Sequence, residues 1–177
     1  MRRELVLTPF SNHEMPQISV SGFLVRDQDR LTIVYCLSGA LQSLSIPEPS
    51  TQPQRKTGLW EETCFELFMA PAGLGSYWEF NFSPAGHWNV YYFDGYRLGM
   101  REEAAWQSLP FTVELQDSGL RLLVELDLSR VAVQGQRFDV GVSAVVRQST
   151  GGPSYWALCH RGPVADFHRR DGFIVSL

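Results

Sequence analysis

Apolar and polar residues alternate along most of this chain with a period of two, the spacing of a half-buried strand. Ile18–Val25 and Leu31–Ser38 flank the polar run Arg26-Asp27-Gln28-Asp29-Arg30, which reads as a hairpin. The segment Pro47-Glu48-Pro49-Ser50-Thr51-Gln52-Pro53 is too rich in proline for regular structure and reads as a surface loop. Three short aromatic runs follow, Thr63–Ala70, Tyr77–Ser83 and His87–Asp94. Pro71-Ala72-Gly73 and Ser83-Pro84-Ala85-Gly86 join them, which predicts a β-meander. Phe111–Leu115 and Leu120–Leu126 pair across Gln116-Asp117-Ser118-Gly119. Arg137–Arg147 carries on the alternation, and Tyr155–His160 and Gly172–Leu177 complete the sheets. Only Met100–Gln107, with Glu102, Glu103, Ala104 and Ala105, reads as a helix. About nine or ten strands at this spacing predict an all-β fold, a two-sheet β-sandwich with one short helix, as a single domain over residues 1–177.

The same alternation assigns faces. Phe65, Leu67 and Met69 point one way, and Cys64, Glu66 and Phe68 the other. Trp78, Phe80 and Phe82 form an apolar face behind Tyr77, Glu79 and Asn81, and Leu120, Leu122, Val124 and Leu126 turn inward. Phe65, Leu67, Phe80, Phe82, Leu122, Val124, Val140 and Val142 are therefore expected to line one core. A polar face is left that draws on Glu66, Glu79, Asn81, Arg121 and Arg147. It is either a solvated outer face laced with Arg–carboxylate pairs or a concave face for a ligand. Glu66, in mid-strand, calls for an arginine partner, with Arg147 or Arg121 in reach of the same face.

Composition narrows the function. The formal net charge is -4, with no concentrated basic face, which argues against nucleic acid as a partner. No stretch is apolar enough to span a membrane, and the N-terminus lacks the pattern of a secretory signal. Three widely spaced cysteines, Cys36, Cys64 and Cys159, form neither a disulfide framework nor a zinc knuckle, so a reduced, cytoplasmic protein is expected. The pattern leaves the oligomeric state open.

Motifs for dinucleotides, nucleoside triphosphates, zinc proteolysis and serine hydrolysis are all missing. The compact ionisable set is His160, Asp166 and His168. It could hold a metal or move a proton, or it could pin the last loop by hydrogen bonds. Trp60 and Trp156 stand at strand edges beside loops, where an indole face can stack on the apolar side of a sugar ring or shield the end of the sandwich. Glu62, Glu66, Arg97 and His160 are their expected neighbours. They supply directional hydrogen bonds, but no cluster positive enough to select phosphate. A small, neutral, ring-shaped polyol or sugar is the expected ligand.

The block Gly58-Leu59-Trp60-Glu61-Glu62-Thr63-Cys64-Phe65-Glu66-Leu67-Phe68, followed by Tyr77-Trp78-Glu79-Phe80-Asn81-Phe82-Ser83-Pro84-Ala85-Gly86, resembles DOMON-like and family 9 carbohydrate-binding-module-like domains. Leu126-Asp127-Leu128 and Gly135–Val146 extend the likeness, which covers the chain from about Leu31 onward. The tail Trp156–His168 is most similar to bacterial, intracellular DOMON-like proteins. The resemblance implies an immunoglobulin-like sandwich that binds a ligand without changing it, with two tryptophans clamping a sugar at one end. Trp60 matches the first, Glu66 the hydrogen-bonding acid, and Trp156 the second. Where the family has an amide before that second tryptophan, Gly152-Pro153-Ser154 stands here. Asn81, Arg97, Arg147, Asp166 and His168 complete the expected ligand set, with no cofactor. Other members of the group bind haem through Met and His. Met69, Met100, His87 and His160 are the residues available for that alternative, and His160, Asp166 and His168 for an enzymatic one.

Overall fold

The structure, a computed structural model, describes residues 2–10, 17–116 and 119–177. Twelve strands run through them. They are β1 (Arg2–Pro9), β2 (Ile18–Asp27), β3 (Arg30–Gly39), β4 (Cys64–Pro71), β5 (Tyr77–Phe82) and β6 (Trp88–Phe93), then β7 (Arg101–Glu102), β8 (Phe111–Gln116), β9 (Gly119–Asp127), β10 (Phe138–Arg147), β11 (Pro153–Ala157) and β12 (Val175–Ser176). The predicted hairpin is β2–β3, the predicted meander is β4–β5–β6, and the β8–β9 pair forms as expected. Of its turn, Asp117 and Ser118 lie outside the described residues.

All these strands pair antiparallel in one sheet of order β7-β6-β5-β4-β10-β11-β1-β2-β3-β9-β8, with β12 also on β10. The sheet curls until its halves face each other. Tyr35 of β3 meets Phe65 of β4 at 5.1 Å between ring centroids, and Phe111 of β8 meets Phe82 of β5 at 5.5 Å. The Tyr35 hydroxyl donates to the Glu66 carbonyl at 2.8 Å, so this buried phenol is satisfied by the opposite half. The bend sits in β1. Arg2 to Leu7 pair with β2, whereas Thr8 and Pro9 pair with Ala157 and Trp156 of β11.

The eight residues expected to line the core are all buried in one cluster that draws on both halves. On β4 the alternation gives way to burial of every residue from Cys64 to Pro71, because its outer face is covered as well. The cover carries a second, smaller cluster. Phe68, Ala70, Tyr77, Tyr91, Phe93 and Phe173 pack there, with Trp60 and Phe167 against them. Gly141 on β10 makes room for this layer, since a Cβ there would lie 2.8 Å from the Phe173 ring.

The expected helix over Met100–Gln107 does not form. Arg101 and Glu102 pair as β7 with Tyr92 and Tyr91. The Arg55 guanidinium takes the carbonyls of Glu103 and Trp106 at 3.0 and 2.5 Å, and the first of these is one that a helix would need for its own ladder. Trp106 is drawn into the core, 5.0 Å from Phe80. Among the described residues helical structure is confined to 3-10 turns, and no helix is long and apolar enough to cross a membrane.

Candidate functional site

A cleft of about 440 Å³ opens on the outer face of β4, β5 and β10. Three segments frame it: the turn Leu59–Glu61, the tip between β6 and β7, and the stretch 165–168 of the C-terminal segment. Gly58, at φ 76, enters the first with a backbone that favours glycine. Leu59 is buried as the anchor, and Trp60 packs edge-on against Tyr91 with centroids 5.8 Å apart. Arg97 stands at the tip with φ 52, an uncommon conformation for a side chain of this kind, and its N–H donates to the Tyr77 hydroxyl at 3.2 Å.

Cross-strand register lays out the floor. Asn89, Asn81, Glu66 and Ser143 form one row across four strands, and Tyr91, Glu79, Phe68 and Gly141 the next. Glu66 and Glu79 are only 3% and 4% exposed. Ser143 donates its hydroxyl to Glu66 Oε2 at 2.9 Å, and Asn81 donates Nδ2 to Glu79 Oε1 at 2.7 Å. Burial above all, and then the negative charge of Glu79, pushes the Glu66 carboxyl well above the ordinary carboxylate range. Burial raises Glu79 too, and the Asn81 bond and Arg97 offset only part of it. The two acids therefore hold a proton that exposed glutamates would have lost.

His168 closes the cleft on the lid side. Its Nδ1 lies 2.8 Å from the Tyr77 hydroxyl, and its Nε2 lies 3.8 Å from Glu79 Oε2. Burial first, and then Arg97, lowers the imidazole to about 4, so near neutral pH it carries no charge and makes no ion pair with Glu79. Burial likewise pushes Tyr77 up to about 12. The phenol stays protonated, and donating that proton to Nδ1 leaves the N–H of His168 on Nε2, toward Glu79. Asp166 ties lid to tip, accepting from Tyr96 at 2.6 Å, Arg97 at 2.9 Å and the His168 N–H at 3.2 Å. Burial works to raise Asp166, but the bonds from Tyr96 and Arg97 outweigh it and hold the carboxyl low.

Of the residues expected to bind a ligand, Trp60, Glu66, Arg97 and His168 line the cleft. Asn81 lies beneath it and Asp166 braces its rim. The others stand apart. Glu62 is exposed at the end of the Trp60 turn. Arg147 points back to the Glu61 carbonyl at 3.4 Å and Arg121 pairs with Glu114 at 3.3 Å, so neither is the expected partner of Glu66. His160 contacts the Thr8 carbonyl through Nε2 at 2.9 Å and stacks near Phe10, apart from the Tyr77–Glu79 pocket that holds His168. Among the described residues no cluster of acids, histidines or cysteines is arranged to hold a metal ion.

Trp156 corrects the expected clamp. It is 4% exposed and belongs to the main core, on the face of the sheet opposite Trp60. It faces Ala144, whose small side chain leaves room for the indole, and its Nε1 donates to Ser154 at 2.9 Å. Its neighbour Tyr155, 38% exposed, occupies the cleft side, and packs near Phe167 at 6.1 Å. Tyr155, Phe93 and Phe167 are lining residues that the sequence reading passed over, while Glu79 was placed on the polar face but not in the ligand set, and Met100 was named only for haem. Alternation from Trp156 would have found Tyr155. As for the residues named for haem, Met69 is buried in the core, Met100 lines the cleft, His87 bonds Lys56 at 2.9 Å and His160 bonds Thr8 at 2.9 Å.

No protein-family model matches the chain, and no characterised protein matches it in sequence. Solved structures do match its fold. A Bacteroides uniformis protein to which carbohydrate binding has been ascribed aligns with a TM-score of 0.75 at 13% identity, over 99% of this chain and 84% of its own. A family 9 carbohydrate-binding module from Caldicellulosiruptor kristjanssonii, in complex with cellotriose, aligns with a TM-score of 0.53 at 11% identity, over 88% of this chain and 72% of its own. The chain shares its fold with these two structures.

Proposed function

We propose that this protein is a non-catalytic carbohydrate-binding module whose ligand lies in the cleft between Trp60, Tyr155 and Phe167. The observation that carries the proposal is the lining. Trp60, Tyr155 and Phe167 line the cleft together with fixed hydrogen-bonding groups, Glu66 and Glu79 of the floor and His168 of the C-terminal segment. Aromatic rings suit the apolar CH face of a pyranose, and the buried polar groups suit its hydroxyls. The fold shared with structures described as carbohydrate-binding supports the reading. Three free cysteines support a reducing, cytoplasmic location.

Tryptophan fluorescence tests the proposal. Trp78, Trp88, Trp106 and Trp156 are buried, so a ligand-induced change reports Trp60. Titration with a panel of mono- and disaccharides is expected to shift the emission with at least one of them. Trp60→Ala should abolish binding while changing stability by no more than about 1 kcal/mol, because the ring is only half-buried. A flat response across the panel would sink the carbohydrate reading.

A further inference from the structure

The floor of the cleft holds two acids with no cation in contact. Glu66 is held by a serine and Glu79 by an asparagine amide. Arg97 is already bonded to Asp166, and the nearby imidazole of His168 is neutral. Among the described residues no buried side-chain polar atom lacks a partner. Glu66 Oε1, which Ser143 does not bind, is left for the cleft, and Glu79 Oε2, which Asn81 does not bind, has His168 Nε2 facing it only at 3.8 Å, beyond hydrogen-bond length. Trp60, Tyr155 and Phe167 line the same cleft, aromatic rings of the kind that attracts a positive charge. Two neighbouring buried acids suit a cation better than a neutral hydroxyl, because a cation offsets the burial and mutual repulsion that keep them from ionising.

We propose that the ligand of this cleft is an amino sugar, its protonated amine received by Glu66 and Glu79 and its ring lodged among Trp60, Tyr155 and Phe167. The proposal rests on the carbohydrate reading above and narrows it to a charged class. The groups around the acids do not replace the missing cation. Cys64, Tyr77 and Tyr91 face them from the sheet, and Arg97, Asp166 and His168 from the rim, where Arg97 offsets the burial of both acids only in part. An ammonium arriving there takes the place of the proton that the buried acids retain, so binding should release a proton to solvent.

Isothermal titration of the purified protein with D-glucosamine, D-glucose and N-acetyl-D-glucosamine at neutral pH tests this. D-Glucosamine should bind tighter than either neutral sugar by about tenfold or more. Its heat should differ between phosphate and Tris buffers in the direction of proton release. In Glu66→Gln/Glu79→Gln the preference should shrink to within about threefold. If that variant fails to unfold cooperatively, Glu79→Gln alone and the buffer comparison on the wild type decide the matter. Neutral sugars binding as tightly as D-glucosamine, or binding without proton release, would overturn the amine proposal and leave the carbohydrate reading intact. No heat with any of the three would overturn the amine proposal, and a flat fluorescence panel would take the carbohydrate reading with it.

Discussion

The phenol of Tyr77 and the imidazole of His168 meet at 2.8 Å, Oη to Nδ1, and join the floor of the cleft to its lid. The same oxygen accepts the Arg97 N–H at 3.2 Å, so one hydroxyl fixes both the C-terminal segment and the β6–β7 tip. Tyr77 can do so because its ring is stacked on Phe93 at 4.8 Å and fully buried.

Removing that oxygen should loosen both attachments. Tyr77→Phe keeps the ring and leaves His168 Nδ1 and the Arg97 N–H without their partner. A loss of about 1–3 kcal/mol is expected in urea unfolding. An unchanged midpoint would mean that the lid is held by its apolar contacts alone.

The buried acids and His168 should shape stability against pH in opposite senses. Both glutamates are raised in the folded state, so between the ordinary carboxylate value of about 4.3 and neutrality the folded chain binds more protons than the unfolded one. Their contribution is therefore present at low pH and lost as pH rises. His168 is lowered from 6.5 to about 4, so the unfolded chain binds more protons across that window and stability rises with pH there. Above about pH 6.5 the histidine contribution is complete and the acids dominate. Urea midpoints should thus fall from slightly acid toward alkaline pH, and Glu66→Gln/Glu79→Gln should flatten that limb. A decline equally steep in the variant would assign it to other groups.

Phe80 lies at 0% exposure between Phe82 and Trp106. Phe80→Ala should cost about 3–5 kcal/mol, read from denaturant midpoints, through lost burial and the cavity left behind. A cost below about 1 kcal/mol would require the neighbouring rings to refill the space.

That phenylalanine illustrates what the sequence reveals well. Trp78, Phe80 and Phe82 alternate cleanly with Tyr77, Glu79 and Asn81, and a period of two fixes both faces of β5 at once. The shared face of Glu66, Glu79 and Asn81 followed from the same rule. Legibility fails where alternation is masked or tertiary contacts decide. In β1 three apolar residues, Leu5, Val6 and Leu7, run together, although Val6 is 71% exposed. Glu102 to Ala105 favour a helix locally, but Arg55, distant in sequence, claims the carbonyls. Trp156 and Tyr155 are adjacent aromatics, and only the register opposite Ala144 sends the indole inward and the phenol to the cleft. The lid was invisible because Phe167, His168 and Phe173 have no periodicity. Gly141 makes room for Phe173, Tyr77 holds His168, and Tyr155 packs near Phe167, all from strands distant in sequence.

The bend in β1 also bears on how the chain becomes this shape. Thr8 bonds Ala157 at a sequence separation of 149, so the seam joining the two halves unites one of the earliest described residues with one far along the chain. During synthesis the β2–β3 hairpin can zip as soon as it emerges, but the seam must wait for β11, and the cleft waits with it. Contacts so remote in sequence are entropically costly to nucleate and slow a fold that depends on them. Until that last stretch arrives, β1 and β10 present open edges to any neighbouring chain, and this interval is when the protein is most exposed to mispairing.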